Sequence, residues 1–321
     1  MQVGQRSHIY RWIENWITIP DSPSARENGR THGLAVTPEQ DVVVFHQAHD
    51  AVLIYSPDGE LKSKWGGDRF PGAHGLTLVV DPDGRPYLWL ADEKTHEVVK
   101  TTLDGDEVMT LDKPDHPAYS NGKYVPTWVA VNEERHGGNG DVWIADGYGS
   151  SLVHHFDKSG KYLESLDGEA GAGRFACPHG ILFDPRKASS PELYVADRGN
   201  QRVQVFDGEG RFKRVFGGDG KSMDSPCGFV FDDTHCYFPE LHGALAVFDE
   251  NDKLVTFLGE NDKIHCRGDW PGKLMTGYPN ERDHVREGVC NAPHGMAVND
   301  RGDLYYGEWI TGGRVCKLER Q

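Results

Sequence analysis

The 321 residues carry 34 Lys and Arg against 50 Asp and Glu, a formal charge of −16, with 37% apolar residues, 39 glycines and 18 prolines. That balance argues against a nucleic-acid partner, because no basic cluster is present to release phosphate counterions, and no apolar run is long enough to cross a membrane as a helix. It suits short strands joined by tight turns, with a small molecule as the expected partner and the oligomeric state left open.

The chain opens on "MQVGQRSHIYRWIENWITIP", which lacks the basic end, apolar stretch and small-residue cleavage site of a secretory leader. The expectation is a cytoplasmic protein. Six cysteines without paired spacing, mostly inside apolar strand patterns, read as free thiols.

Next comes one strand pattern repeated six times: "THGLAV" from Thr31, "AHGLTL" from Ala73, "PTWVAV" from Pro126, "PHGILF" from Pro178, "PCGFVF" from Pro226 and "PHGMAV" from Pro293. Each copy is followed by a second strand such as "DVWIAD" or "ELYVAD". A third then runs into an Asp-Gly or Ser-Gly hairpin turn, and a short fourth strand follows. Equivalent positions are 42, 53, 52, 48 and 67 residues apart. Four antiparallel strands at that period predict an all-β chain, a six-bladed β-propeller forming one domain over residues 1–321.

The sixth repeat stops after its third strand, "GRVCKLERQ", while residues 7–20, "SHIYRWIENWITIP", are strand-like and unassigned. The N-terminal segment is therefore expected to complete blade six and close the ring. Residues 260–291 exceed a simple connection and read as either a lid or a surface insertion.

In such a ring the residue opening each inner strand faces the axis, and that position reads His32, His74, Thr127, His179, Cys227, His294. His74, His179 and His294 come from alternate blades, so three imidazoles would converge. Three histidines with an open fourth position are the ligand set of a catalytic divalent transition metal, zinc before others, whereas calcium favours carboxylate-rich sites. His32 shares the register and reads as a channel-lining, substrate-contacting or ligand-supporting residue.

From about Thr31 to Lys317 the chain resembles NHL-repeat propellers, and within them the peptidylglycine α-hydroxyglycine α-amidating lyases. The likeness is densest in "VPTWVAVN", "DVWIADGYGSSLVHHFDKSGKY", "CPHGILFD" and "ELYVADRGNQRVQVF". The resemblance implies that His74, His179 and His294 hold a catalytic zinc. It also implies that Tyr148, in the "DGY" turn, is the base and that Arg198, in the "ADR" turn, meets the substrate. For Tyr148 the alternative is an ordinary turn aromatic, and for Arg198 a brace between blades through carbonyls or a carboxylate such as Asp197.

Two departures bear on the chemistry. The family's "FHRGDH" is "FHQAHD" here, leaving Gln47 where an active-site arginine would stand, and its "PHD" is "PHG", leaving Gly295 where an aspartate helps hold calcium. Without that fixed cation the substrate is not expected to be a peptidyl-α-hydroxyglycine. His46 and His49 flank the change and read equally as polar contacts or surface-turn residues. The expectation is a metal-dependent lyase cleaving a carbon–heteroatom bond, with two alternatives kept: a metal-dependent lactonase- or esterase-type hydrolase, and a non-catalytic NHL interaction module.

Overall fold

The computed structural model describes residues 1–5, 8–268, 270–271 and 285–321. Apart from one short helix and brief 3-10 turns, its regular elements are strands, arranged as six antiparallel sheets, the blades of an all-β six-bladed propeller. Two compact units share them: residues 1–73 with 229–321 carry blades one, five and six, and residues 74–228 carry blades two, three and four.

The second and third strands are mostly buried, and in blade three they are buried along their whole length, Val142–Asp146 and Leu152–Phe156. The fourth is less buried, most of all in blade one, where Leu61–Trp65 is largely exposed. A strand covered on both faces by neighbouring blades can be apolar throughout, which is why runs such as "VVVF" do not alternate. Inside the second unit, one apolar cluster joins blades two and three through Val79, Trp89, Val129 and Ile144. Another joins blades three and four through Trp128, Trp143, Ile181 and Val195. The Ser-Gly hairpin turn of blade three forms as expected: Asp157 Oδ1 accepts the Ser159 and Lys161 N–H groups, and Gly160 closes the turn at φ +87°.

Closure of blade six by the N-terminal segment holds, with a change in detail. Among the described residues of 7–20, His8–Ile13 forms the strand, pairing Tyr10 with Arg320 and Trp12 with Leu318. A further strand, Gln2–Gln5, adds outside it, so this blade has five strands. Tyr10 and Trp12 are buried with Leu245, Leu304 and Tyr306. Two aromatic side chains at 150–250 Å² each represent roughly 8–12 kcal/mol of gross burial, enough to hold a chain end that would otherwise fray.

Two elements differ from the sequence pattern. Pro23–Asn28 forms a helix, with Ser22 Oγ accepting the Ala25 N–H and Pro23 in the first turn. In blade five the inner strand is only Val230–Phe231, so Cys227 precedes the ladder. Of the expected insertion, Trp270 donates its indole N–H to the Asn291 carbonyl at 2.9 Å, and the Asn291 amide donates to the Pro271 carbonyl at 2.8 Å. Residues 269 and 272–284, with Tyr278 and the first half of "ERDHVREG", lie outside the described residues.

Two buried histidines make stability pH-dependent. Desolvation lowers the pKa of His154 to about 3 and that of His46 to about 4. Both are neutral in the folded chain and titrate near 6.5 when unfolded, so between about pH 6.5 and 4 only the unfolded state gains their protons. Stability is expected to fall as the pH drops through that window. His154→Gln should make the urea-denaturation slope against pH shallower by about one proton, and an unchanged slope would contradict this assignment.

Candidate metal and proton-transfer site

The repeated His-Gly pair has a packing cause. His74 Nδ1 lies 2.7 Å from the Thr127 carbonyl oxygen, and a Cβ on Gly75 would stand 2.4 Å from that same oxygen. His179 repeats the arrangement, with Nδ1 2.6 Å from the Cys227 carbonyl and a Gly180 Cβ 2.5 Å from it. Glycine thus lets the next blade's backbone come close enough to accept the imidazole N–H. A carbonyl can only accept, so Nδ1 carries the proton and Nε2 presents a lone pair, the tautomer a metal takes. Desolvation lowers the pKa of His74 to about 3, which keeps that ring neutral.

Both lone pairs aim at one place. Tyr148 Oη is 3.2 Å from His74 Nε2 and 3.1 Å from His179 Nε2, and the two imidazole centroids are 4.8 Å apart. Tyr148 keeps 37% of its surface exposed while its hydroxyl is enclosed among these groups, and desolvation pushes the phenol pKa up. Arg198 opposes that shift: its guanidinium lies 5.3 Å from the Tyr148 ring centroid, with Nη1 3.5 Å from Oη.

The turn that carries Tyr148 is clamped by Asp146, whose carboxylate accepts the Val125 and Ser150 N–H groups, each at 2.7 Å, and the Tyr119 hydroxyl at 2.7 Å. Asp197 accepts Ala176 N–H at 2.7 Å in blade four, and Glu308 accepts Asn291 N–H at 2.6 Å in blade six. A carboxylate ending the second strand therefore fixes the entry to the inner strand in three blades. A cleft of about 650 Å³ in the second unit ends on Tyr148, with Glu93, His96, Lys113, Lys123 and Tyr124 among its walls.

Of the residues nominated from sequence, the second unit brings together His74, His179, Tyr148, Arg198, Thr127 and Cys227. Arg198 is not the brace to Asp197, since Arg202, Asn200, Gln204 and the Ala176 N–H bond that carboxylate instead. Thr127 is a buttress: its hydroxyl sits 2.8 Å from the His179 carbonyl and 3.1 Å from that of Ala145, while its own carbonyl holds His74.

His294 and His32 lie in the first unit, both buried, with rings edge-to-face at 4.4 Å. Gly295 shows the same constraint as its counterparts, since a Cβ there would stand 1.9 Å from the His32 carbonyl. Gln47 is buried, its N–H donating to the Arg30 carbonyl at 2.9 Å. His46 is a core residue under the 29–31 turn, with a Gly29 Cβ position 2.8 Å from its Nε2, whereas the His49 side chain is 60% exposed beside Asp50. The sequence reading passed over Cys177, whose Sγ lies 3.3 Å from Arg198 Nη2; its place in "CPHG", two residues before His179, was the available signal.

No protein-family model matches the chain. Among curated proteins, the peptidylglycine alpha-amidating monooxygenase of Rattus norvegicus is 27% identical over 211 residues, covering 56% of this chain and 20% of the rat protein. A probable peptidyl-alpha-hydroxyglycine alpha-amidating lyase of Caenorhabditis elegans is 27% identical over 57% of both chains. NHL repeat-containing protein 3 of Homo sapiens is 28% identical over 62% of this chain and 57% of the human one. The matched region thus spans little more than half of these relatives, and a fifth of the first. Among solved structures, a streptogramin B lyase aligns over 97% of this chain and 98% of its own with TM-score 0.60 at 13% identity. A gluconolactonase from Xanthomonas campestris aligns over 98% and 91% with TM-score 0.63, also at 13% identity, so both likenesses concern fold.

Proposed function

We propose that this NHL-type propeller, similar in sequence to the amidating lyases, is a metal-dependent lyase. Its substrate would be a small hydroxylated molecule of carbinolamide or hemiaminal type. The observation that carries the reading is the convergence of the His74 and His179 Nε2 atoms on the Tyr148 hydroxyl beside Arg198. The donor set fits a borderline transition metal: two imidazoles whose Nδ1–H groups are held by backbone carbonyls, with the repeat register nominating His294 as the third. Bound there, such an ion, zinc first, would supply Lewis acidity toward a hydroxyl or carbonyl oxygen. Calcium, which prefers oxygen ligands, suits these donors poorly.

The chain's own groups then have defined work. Starting as the phenolate, Tyr148 would take the proton of the substrate hydroxyl and deliver it to the departing nitrogen or oxygen as the carbon–heteroatom bond breaks and a carbonyl forms, which returns it to the phenolate. A phenol whose pKa is raised by burial is a weak acid and its phenolate a strong base. The Arg198 guanidinium stabilises that phenolate and orients a substrate oxygen. The cleft ending on Tyr148 receives the remainder of the substrate. Six free thiols suit a reducing compartment, which supports a cytoplasmic location, and among the described residues no helix is long and apolar enough to cross a membrane.

Mass balance tests the reaction class. Incubation with a panel of carbinolamides, hemiaminals, lactones and esters is expected to give two products whose masses sum to that of the substrate. Products heavier by one water would establish the hydrolase reading instead. A protein without bound transition metal or turnover would fit the non-catalytic NHL module.

A further inference from the structure

We infer that Cys227 is a thiolate ligand of the metal held by His74 and His179, so that the centre mixes imidazole and sulfur donors; this rests on the metal-site reading above. Cys227 stands in the fifth repeat where four of the other five have histidine. It is completely buried. Its Sγ and a ring nitrogen of His179 lie within 4.8 Å of each other. Two ligands about 2.1 and 2.3 Å from a tetrahedral ion are roughly 3.6 Å apart, a separation that falls inside the bound on this pair. The Cys227 carbonyl also holds His179 Nδ1 at 2.6 Å, so one residue fixes the imidazole's orientation and presents sulfur near it.

The surroundings of that sulfur are polar. Cys227 Sγ is 3.9 Å from Arg198 Nη1 and 3.7 Å from the Ser225 carbonyl, and Arg198 Nη2 meets the second thiol, Cys177, at 3.3 Å. A cysteine serving only as a small hydrophobe would pack against apolar atoms, whereas this one faces a guanidinium and an imidazole. On metal binding the thiol proton leaves to solvent, a sulfur–metal bond forms, and the guanidinium compensates the thiolate charge. His74, His179 and Cys227 would leave the fourth position of a tetrahedral ion for the substrate oxygen. Sulfur would also bias the site toward zinc, cobalt or other soft and borderline ions and away from calcium and magnesium.

Cobalt(II) makes this visible without turnover. The exposed Cys266 is first replaced by serine to remove an adventitious sulfur ligand. The metal-stripped Cys266→Ser protein is then titrated with cobalt(II) and followed by absorption. The expected result is a set of d–d bands together with an intense near-ultraviolet sulfur-to-cobalt charge-transfer band. That band is lost when Cys227→Ser is added and kept when Cys177→Ser is added, the d–d bands persisting in both. Charge transfer that survives Cys227→Ser, or d–d bands without charge transfer in the Cys266→Ser parent, would overturn the assignment. The parent spectrum decides even if the double variants fold poorly. Absence of d–d bands in the parent would instead overturn the metal reading, and this inference with it.

Discussion

Tyr148→Phe is expected to keep its fold and its metal content while losing roughly 10²- to 10⁴-fold in turnover, the usual worth of a positioned proton-transfer group. The substitution removes one oxygen and leaves the ring and its guanidinium neighbour in place. That oxygen lies 3.2 and 3.1 Å from two Nε2 atoms and 3.5 Å from Arg198, which makes it the hydroxyl on which the site converges. The measurement is kcat on whichever substrate the mass-balance screen identifies, paired with elemental analysis of the same preparation. Turnover equal to that of the parent would remove Tyr148 as the base. Lost metal with lost turnover would make the phenol a structural partner of the imidazoles.

Arg314→Met is expected to destabilise the fold by about 3–5 kcal/mol, the cost of leaving a buried carboxylate without its cation. The Arg314 and Glu308 side chains are both 0% exposed and joined at 2.9 Å. The same guanidinium bonds Glu14 through Nε at 2.8 Å and Nη2 at 2.7 Å, and donates to the Val289 and Arg286 carbonyls. It thereby ties the N-terminal segment to the blade that segment completes. Glu308 also accepts the Asn291 N–H three residues before His294, so the loss should extend to metal retention. Arg314→Lys keeps the charge but not the fork and should fall between parent and Met. Urea unfolding reads the effect, and a loss under about 1 kcal/mol would contradict it.

The blades were legible because repetition averages out local ambiguity: six copies of one inner strand, each with the same hairpin turns, leave few architectures open. The His-Gly register was legible too, and its cause, a neighbouring carbonyl that both accepts the imidazole N–H and excludes a Cβ, emerges only from packing. Thr127 and His46 show what sequence could not convey. At the axis position Thr127 reads as a site residue, and its single hydroxyl proton has three carbonyl acceptors in reach, that of His179 nearest at 2.8 Å. The "FHQAHD" stretch does not say which histidine faces solvent, because the 29–31 turn that buries His46 belongs to another segment. The Gln2–Gln5 strand escaped notice because four largely exposed residues carry no apolar alternation. Which arginine of "ADRGNQR" pairs with Asp197 was not legible either, and it is Arg202, four residues beyond Arg198.

The most direct test of the central claim is the metal content of protein purified without chelators, compared with His74→Ala, His179→Ala and His294→Ala variants whose folding is verified by circular dichroism. The account predicts close to one transition-metal ion per chain in the parent, zinc foremost, falling to a small fraction in each variant. A parent that stays metal-free when offered zinc or cobalt, or histidine variants that bind as much as the parent, would contradict it.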